Sequence, residues 1–250
     1  MSRRTAENAG FTLIELLCSM AVGAIILLTA AAMLGTSGEG YERVGGGVAT
    51  EREARALIGQ LTADLATARY HPDGVIENTG AAWPAARLGF LTLQPAQAQS
   101  REGRVGDLCA VHYYIKDLEI GGKTVRCLMR GFRESSETFA ALENNNFGSL
   151  FRPYDMLDEP VAFGVAGFEA RPVTRDENGK WSEWSRSNRN GPDALELRLV
   201  IARRDLAGRL RTAADWNGGN SQLGTYSGAQ RNRNLETYGA TIRFGNHDKL

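Results

Sequence analysis

The sequence predicts an α+β protein, with one long N-terminal helix able to cross a membrane and a β-rich head behind it. Three observations carry this. An apolar run of membrane-crossing length stands near the N-terminus. A second segment, 54–68, places apolar residues at helical spacing. The remainder consists of short apolar or alternating runs separated by glycine and proline turns.

The run comes first. Residues 1–10 are polar and include Arg3 and Arg4; residues 11–34 follow with Glu15 as their only charge. From Leu16 to Leu34 nothing is more polar than Ser19 and Thr29. Nineteen residues at about 1.5 Å each make about 29 Å of helix, close to the roughly 30 Å hydrocarbon thickness of a bilayer. The two arginines ahead of it favour a cytoplasmic N-terminus, with everything after Leu34 outside.

Between Gly35 and Gly47 lie six glycines, a stretch expected to be weak or broken helix or a plain linker. Thr50 and Glu53 then fit a capping box. Ala54, Leu57, Ile58, Leu61, Leu65 and Ala68 share one helical face, and the helix is expected to stop near Tyr70, before His71-Pro72-Asp73-Gly74. Strands are expected at 88–93, at 107–115 and 124–129 around a Gly121-Gly122 hairpin turn, and once or twice within 161–173. Further strands are expected at 194–202 and 238–244. Leu195, Leu197, Leu199 and Ile201 alternate onto one face.

Composition narrows the function. The 250 residues hold 29 Lys plus Arg against 29 Asp plus Glu, a balance with no general attraction for nucleic acid or acidic lipid. No nucleophile elbow, zincin, dinucleotide or Walker pattern occurs, so no enzyme is expected. Cys18, Cys109, Cys127 and three scattered histidines lack zinc-site spacing, and no cofactor or metal is expected. Cys109 and Cys127 read either as a disulfide, if the head faces an oxidising compartment, or as two buried thiols. Asp155, Asp158 and Glu159 read as a solvated turn, with Ca²⁺ as the alternative. Trp181 and Trp184 read as cover for a core edge, with a partner or glycan patch as the alternative. His112 has the opposite strand parity from Val111 and Tyr113 and reads as a surface or packed histidine. Residues 203–250 hold eight Lys/Arg against four Asp/Glu, with Trp216, Tyr226 and Tyr238 interspersed. A single-strand-binding surface needs such residues, and a plain polar surface explains them equally.

Glu15 decides among three readings of the N-terminus. A carboxylate costs about 3 kcal/mol at the bilayer centre, less near its edge. A secretory signal cut near Ala30-Ala31-Ala32 gives no reason to carry it, and neither does a plain anchor. The segment from Ala9 to Leu17, AG-FTLIELL, resembles the cleavage and methylation motif of type IV prepilins and type II secretion pseudopilins. The resemblance implies peptidase cleavage after Gly10, N-methylation of Phe11, and an assembly role for Glu15. Cleavage would free a cationic amine at Phe11, which Glu15 could pair with in its own chain or in a neighbouring subunit; the helix dipole alone also stabilises a carboxylate there.

The head adds to the likeness. VHYYI (111–115), LMR (128–130), PVAFGVAGFEARPV (160–173) and KWSEWSRSNRNGPDALELRLVI (180–201) follow the order seen in J-type minor pseudopilins and W-type minor pilins. The long stretch after Ile201 departs from them, and the paired C-terminal cysteines of major pilins are absent. The resemblance implies a leader over 1–10, a transmembrane assembly helix over 11–34, a glycine-rich hinge and amphipathic helix over 35–70, and a periplasmic head over 71–250. The fold would be pilin-like, its helix packed on an antiparallel sheet. Implied partners are other minor and major pilin or pseudopilin subunits, the prepilin peptidase, an inner-membrane assembly platform, and membrane lipid before assembly. The function implied is a minor pseudopilin of a type II secretion pseudopilus. The alternatives are a minor pilin of a type IV pilus and a membrane-tethered adhesive or DNA-binding pilin.

Overall fold

The computed structural model describes residues 13–80, 82–102, 104–154, 156–187 and 191–245. Contacts divide the chain into two units, Met1–Gly47 and Val48–Leu250. Helix α1, Leu13–Ala66, supplies the described part of the first unit and the opening of the second.

In the first unit the apolar stretch Leu13–Leu34 has no buried residue. Its backbone continues helical through all six glycines, so the expected break is absent. Glycine weakens a helix by about 1 kcal/mol per position but does not forbid its geometry. Thr50 accordingly lies inside the helix rather than at its start, and Glu53 accepts a hydrogen bond from the Phe163 backbone N–H at 2.5 Å.

The second unit is built on a ten-stranded sheet. Its strands are β1 (Ala68–Arg69), β2 (Val75–Thr79), β3 (Ala85–Leu93), β4 (Leu108–Ile120) and β5 (Lys123–Arg133). After α2 (Ser135–Glu143) come β6 (Glu159–Phe163), β7 (Val165–Arg175), β8 (Trp181–Glu183) and β9 (Ala194–Ala202). The chain closes with α3 (Arg204–Ala207) and β10 (Leu235–Arg243). The order is β10-β9-β7-β3-β4-β5-β6, with β1 and β2 on β3 and β8 on β7. Among the described residues all pairings are antiparallel except one. β3 meets β7 in parallel through Ala85 and Phe168, so the sheet is antiparallel-rich rather than wholly antiparallel.

Helix α1 stops at Ala66, short of Tyr70, because Ala68 and Arg69 pair with Thr92 and Leu91 of β3. The hairpin at Gly121-Gly122 forms as expected. Both glycines are left-handed, at φ 59° and 74°, which gives the two-residue turn whose twist matches its strands. Gly164, at φ 69°, separates β6 from β7.

Alternation then sorts the side chains. On one face Leu88, Val111, Tyr113, Leu128, Phe168, Leu195, Leu197, Leu199 and Ile201 bury against Ala54, Leu57, Leu61 and Leu65 of α1. The opposite face is covered twice. Residues of α2 and the turn at 147–151 cover Leu91 and Ala110, and the 204–231 segment covers Ala166, Val200 and Ala202. Residues 204–231 are thus a structural layer centred on fully buried Trp216.

Candidate functional site

Two regions hold the candidate functional residues. The first is the N-terminal end of α1. Gly10 and Phe11 lie outside the described residues. Glu15 lies in the first described turn and is exposed. Between Leu13 and Leu34 the helix is apolar on all sides, with mean hydropathy 2.3 over 22 residues. Leu13, Leu27, Leu28, Met33 and Leu34 are each more than 70% exposed. A helix apolar all round belongs in lipid or among other helices.

The second region is polar, buried and inside the head. Asp64 lies on the apolar face of α1 with 1% of its side chain exposed. Arg130 of β5 grips it from two sides, Nε to Oδ2 at 2.9 Å and Nη2 to Oδ1 at 3.1 Å. Tyr113 of β4, directly across from Arg130, donates its hydroxyl to Oδ2, and Gln94 Nε2 donates to Oδ1 at 3.1 Å. Thr92 Oγ1 adds a hydrogen bond to the Asp64 carbonyl at 2.9 Å. Burial first, then the Asp64 charge, pushes the Tyr113 phenol well above its ordinary range. The tyrosine of VHYYI and the arginine of LMR are therefore joined by a helix carboxylate to which the sequence reading gave no role. Its one signal was a charge between Leu61 and Leu65 on an otherwise apolar stripe.

A second carboxylate occupies the opposite sheet face. Asp158 has a fully buried side chain and receives Arg133 Nη1 at 2.8 Å, the Tyr114 hydroxyl at 2.9 Å and the Tyr154 N–H at 2.8 Å. Burial alone would raise this carboxyl; those three donors bring it below its usual value. His112 Nε2 stands 3.2 Å from Asp158 Oδ2, and its ring stacks on Tyr114 at 5.2 Å. Burial lowers His112 from 6.5 to about 4, so the ring is neutral. Gly131, its cross-strand partner, makes room for it: a Cβ there would sit 1.9 Å from His112 Cε1. The solvated acidic turn is corrected for Asp158, which is an interior ion-pair member, while Asp155 lies outside the described residues. Among the described residues no acidic, His or Cys cluster suits a metal.

The aromatic residues of the C-terminal segment also change role. Trp216 is fully buried, its Nε1 donating to Thr124 O at 2.9 Å, so it is unavailable to a nucleic acid. Arg126 closes that corner by pairing with Asp117 at 2.7 Å and donating to Trp216 O at 3.0 Å. Tyr226 and Tyr238 are half-buried and donate to Glu169 and Glu236. Trp184 is buried edge-on to Tyr70, covering the core edge, and Trp181 is 42% exposed beside Arg175.

The possible Cys109–Cys127 disulfide is corrected: both are free, buried thiols. Cys127 faces Lys116, and Ala110, next to Cys109, faces Arg133. Seven residues of register, at about 3.3 Å each, separate the thiols by roughly 23 Å, far beyond bonding reach. Burial raises Cys109 to about 11 and Cys127 to about 12, keeping both protonated.

The family model of the prokaryotic N-terminal methylation motif matches residues 6–31, across the Gly10–Phe11 junction, Glu15 and most of the apolar run. No curated protein matches the chain. Among solved structures the chain is similar to a type IV-like pilin from Thermus thermophilus, at 14% identity and TM-score 0.35. That similarity covers 78% of this chain and 95% of the other.

Proposed function

We propose that this chain, type IV pilin-like at its N-terminus, is a minor pseudopilin of a type II secretion pseudopilus. A prepilin peptidase cuts after Gly10 and methylates Phe11. The apolar helix then holds the subunit in the inner membrane as a single pass, N-terminus inside and head in the periplasm. Assembly moves that helix from lipid into a bundle of subunit helices, where the Phe11 amine and Glu15 neutralise each other between chains. The observation that carries the reading is the methylation motif over 6–31 laid on a helix that is apolar on every side and charged only at Glu15.

The glycine stretch 35–47 gives the helix a pliable section for extraction from the membrane, and the head makes contacts with other minor subunits near the filament tip. The lack of the paired C-terminal cysteines of major pilins supports a minor rather than a major subunit. Mass spectrometry of the mature protein tests the class. An N-methylated Phe11 at the N-terminus is the expected result, and a chain beginning at Met33 overturns it. A type IV pilus remains the second assembly this subunit would serve. Deleting its gene distinguishes the two: loss of secretion with surface pili intact supports the pseudopilus, and the converse supports the pilus.

A further inference from the structure

The sheet face away from α1 is covered over Val200 and Ala202 but stays open farther along β7, β9 and β10. A cavity of about 460 Å³ lies there, lined by Glu169 and Arg171 of β7, Glu196 and Arg198 of β9, and Thr237 and Gly239 of β10. Register puts Arg198 between Glu169 and Gly239, and Glu196 beside Arg171.

These charges are not equivalent. Glu169 accepts the Tyr226 hydroxyl, and Glu196 lies 3.7 Å from Arg171. Arg198 has no ion-pair partner among the described residues, and its guanidinium lies over the Tyr226 ring, 4.5 Å from the centroid. Its Nε and Thr237 Oγ1 are buried polar atoms without a hydrogen-bond partner. Buried polar atoms are nearly always satisfied, and two orphans lining one cavity mark a place where a ligand's polar atoms have partners to meet. Gly239 keeps the floor open, since a Cβ there would meet only Leu197 O, at 3.8 Å.

We propose that this groove binds a carboxylated sugar, a hexuronate unit of a glycan, with its carboxylate on Arg198 and its hydroxyls on the surrounding polar groups. The volume lies in the ordinary range for small-ligand sites, about 300–1,000 Å³, but the lining is unusually polar. A peptide segment would want apolar subsites, whereas a sugar offers hydroxyls all round. The two glutamates and two arginines of the lining balance, and Arg198 is the arginine without a carboxylate within 4 Å among the described residues. Glu169 and Glu196 oppose a dianion such as phosphate more than a single carboxylate. Planar carboxylates and guanidiniums also take hydroxyl and carboxylate oxygens two at a time. The groove owes nothing to the assembly reading and stands apart from it.

The test is calorimetric titration of the full chain in detergent with a glucuronate tetramer, its uncharged methyl ester, and a hexaglutamate peptide. The tetramer is expected to bind, and the ester to bind about tenfold more weakly for loss of a charge-assisted hydrogen bond. Arg198→Gln should weaken the tetramer similarly. Gly239→Val should abolish binding while leaving the thermal midpoint unchanged, because it fills the groove from an exposed strand position. The proposal is overturned if the tetramer does not bind, if the peptide binds in its place, or if Gly239→Val binds like the parent.

Discussion

Replacing Asp64 by asparagine tests whether the buried carboxylate holds α1 to the sheet. The substitution keeps size and shape but removes the charge facing Arg130, whose side chain is only 12% exposed. Removing one member of a buried ion pair strands the other, at a cost of about 3–5 kcal/mol. Asparagine retains some hydrogen bonding with Gln94 and Tyr113, so about 3 kcal/mol is expected. For a unit of this size that lowers the thermal midpoint by roughly 6–12 °C. The assay is urea unfolding of the full chain in detergent, followed by near-ultraviolet circular dichroism of the head tryptophans. The double variant Asp64→Leu with Arg130→Met removes both charges and should cost much less than the sum of the two single variants. A cost below about 1 kcal/mol for Asp64→Asn, or strict additivity in the double variant, would show that the buried pair does not hold α1 to the sheet.

Other outcomes follow from the same geometry. Glu15→Ala should leave subunits inserted in the membrane but unable to polymerise; filament counts by electron microscopy check this, and normal filaments contradict the assembly role. His112 is neutral when folded, with its pKa lowered from 6.5 to about 4. The folded state therefore binds fewer protons, and stability present above pH 6.5 is lost as pH falls towards 4. At about 1.4 kcal/mol per pH unit the loss approaches about 3 kcal/mol. His112→Phe should flatten that window in denaturation profiles, leaving only the loss near the carboxylate range that Asp158 causes. Gly131→Ala should destabilise the head by several kcal/mol through its clash with the His112 ring, and His112→Ala should relieve much of it. Cys109 and Cys127 should resist thiol reagents at neutral pH until urea unfolds the head, and reducing agent should not change the native midpoint.

Features that depend on local periodicity were legible from the residues alone. The apolar run, the helical stripe from Ala54 to Leu65, the Gly121-Gly122 turn and the alternation of 194–202 each exceed the noise of a single segment and are present in the fold, whereas Ala68 passes from the stripe into β1. The methylation motif belongs with them, since it is contiguous over residues 6–31. What depends on distant partners was not legible. α2 and β8 are short, and the C-terminal layer reads as polar because its apolar residues are spaced irregularly around Trp216. Asp64 waits on Arg130, 66 positions later, and Asp158 on Arg133 and Tyr114 of other strands. Only the fold decides that the first carboxylate lies buried against a guanidinium, that Cys109 and Cys127 lie too far apart to bond, and that β3 meets β7 in parallel. A side chain's own chemistry is written in the chain; the neighbours that neutralise, desolvate or separate it are set by tertiary packing.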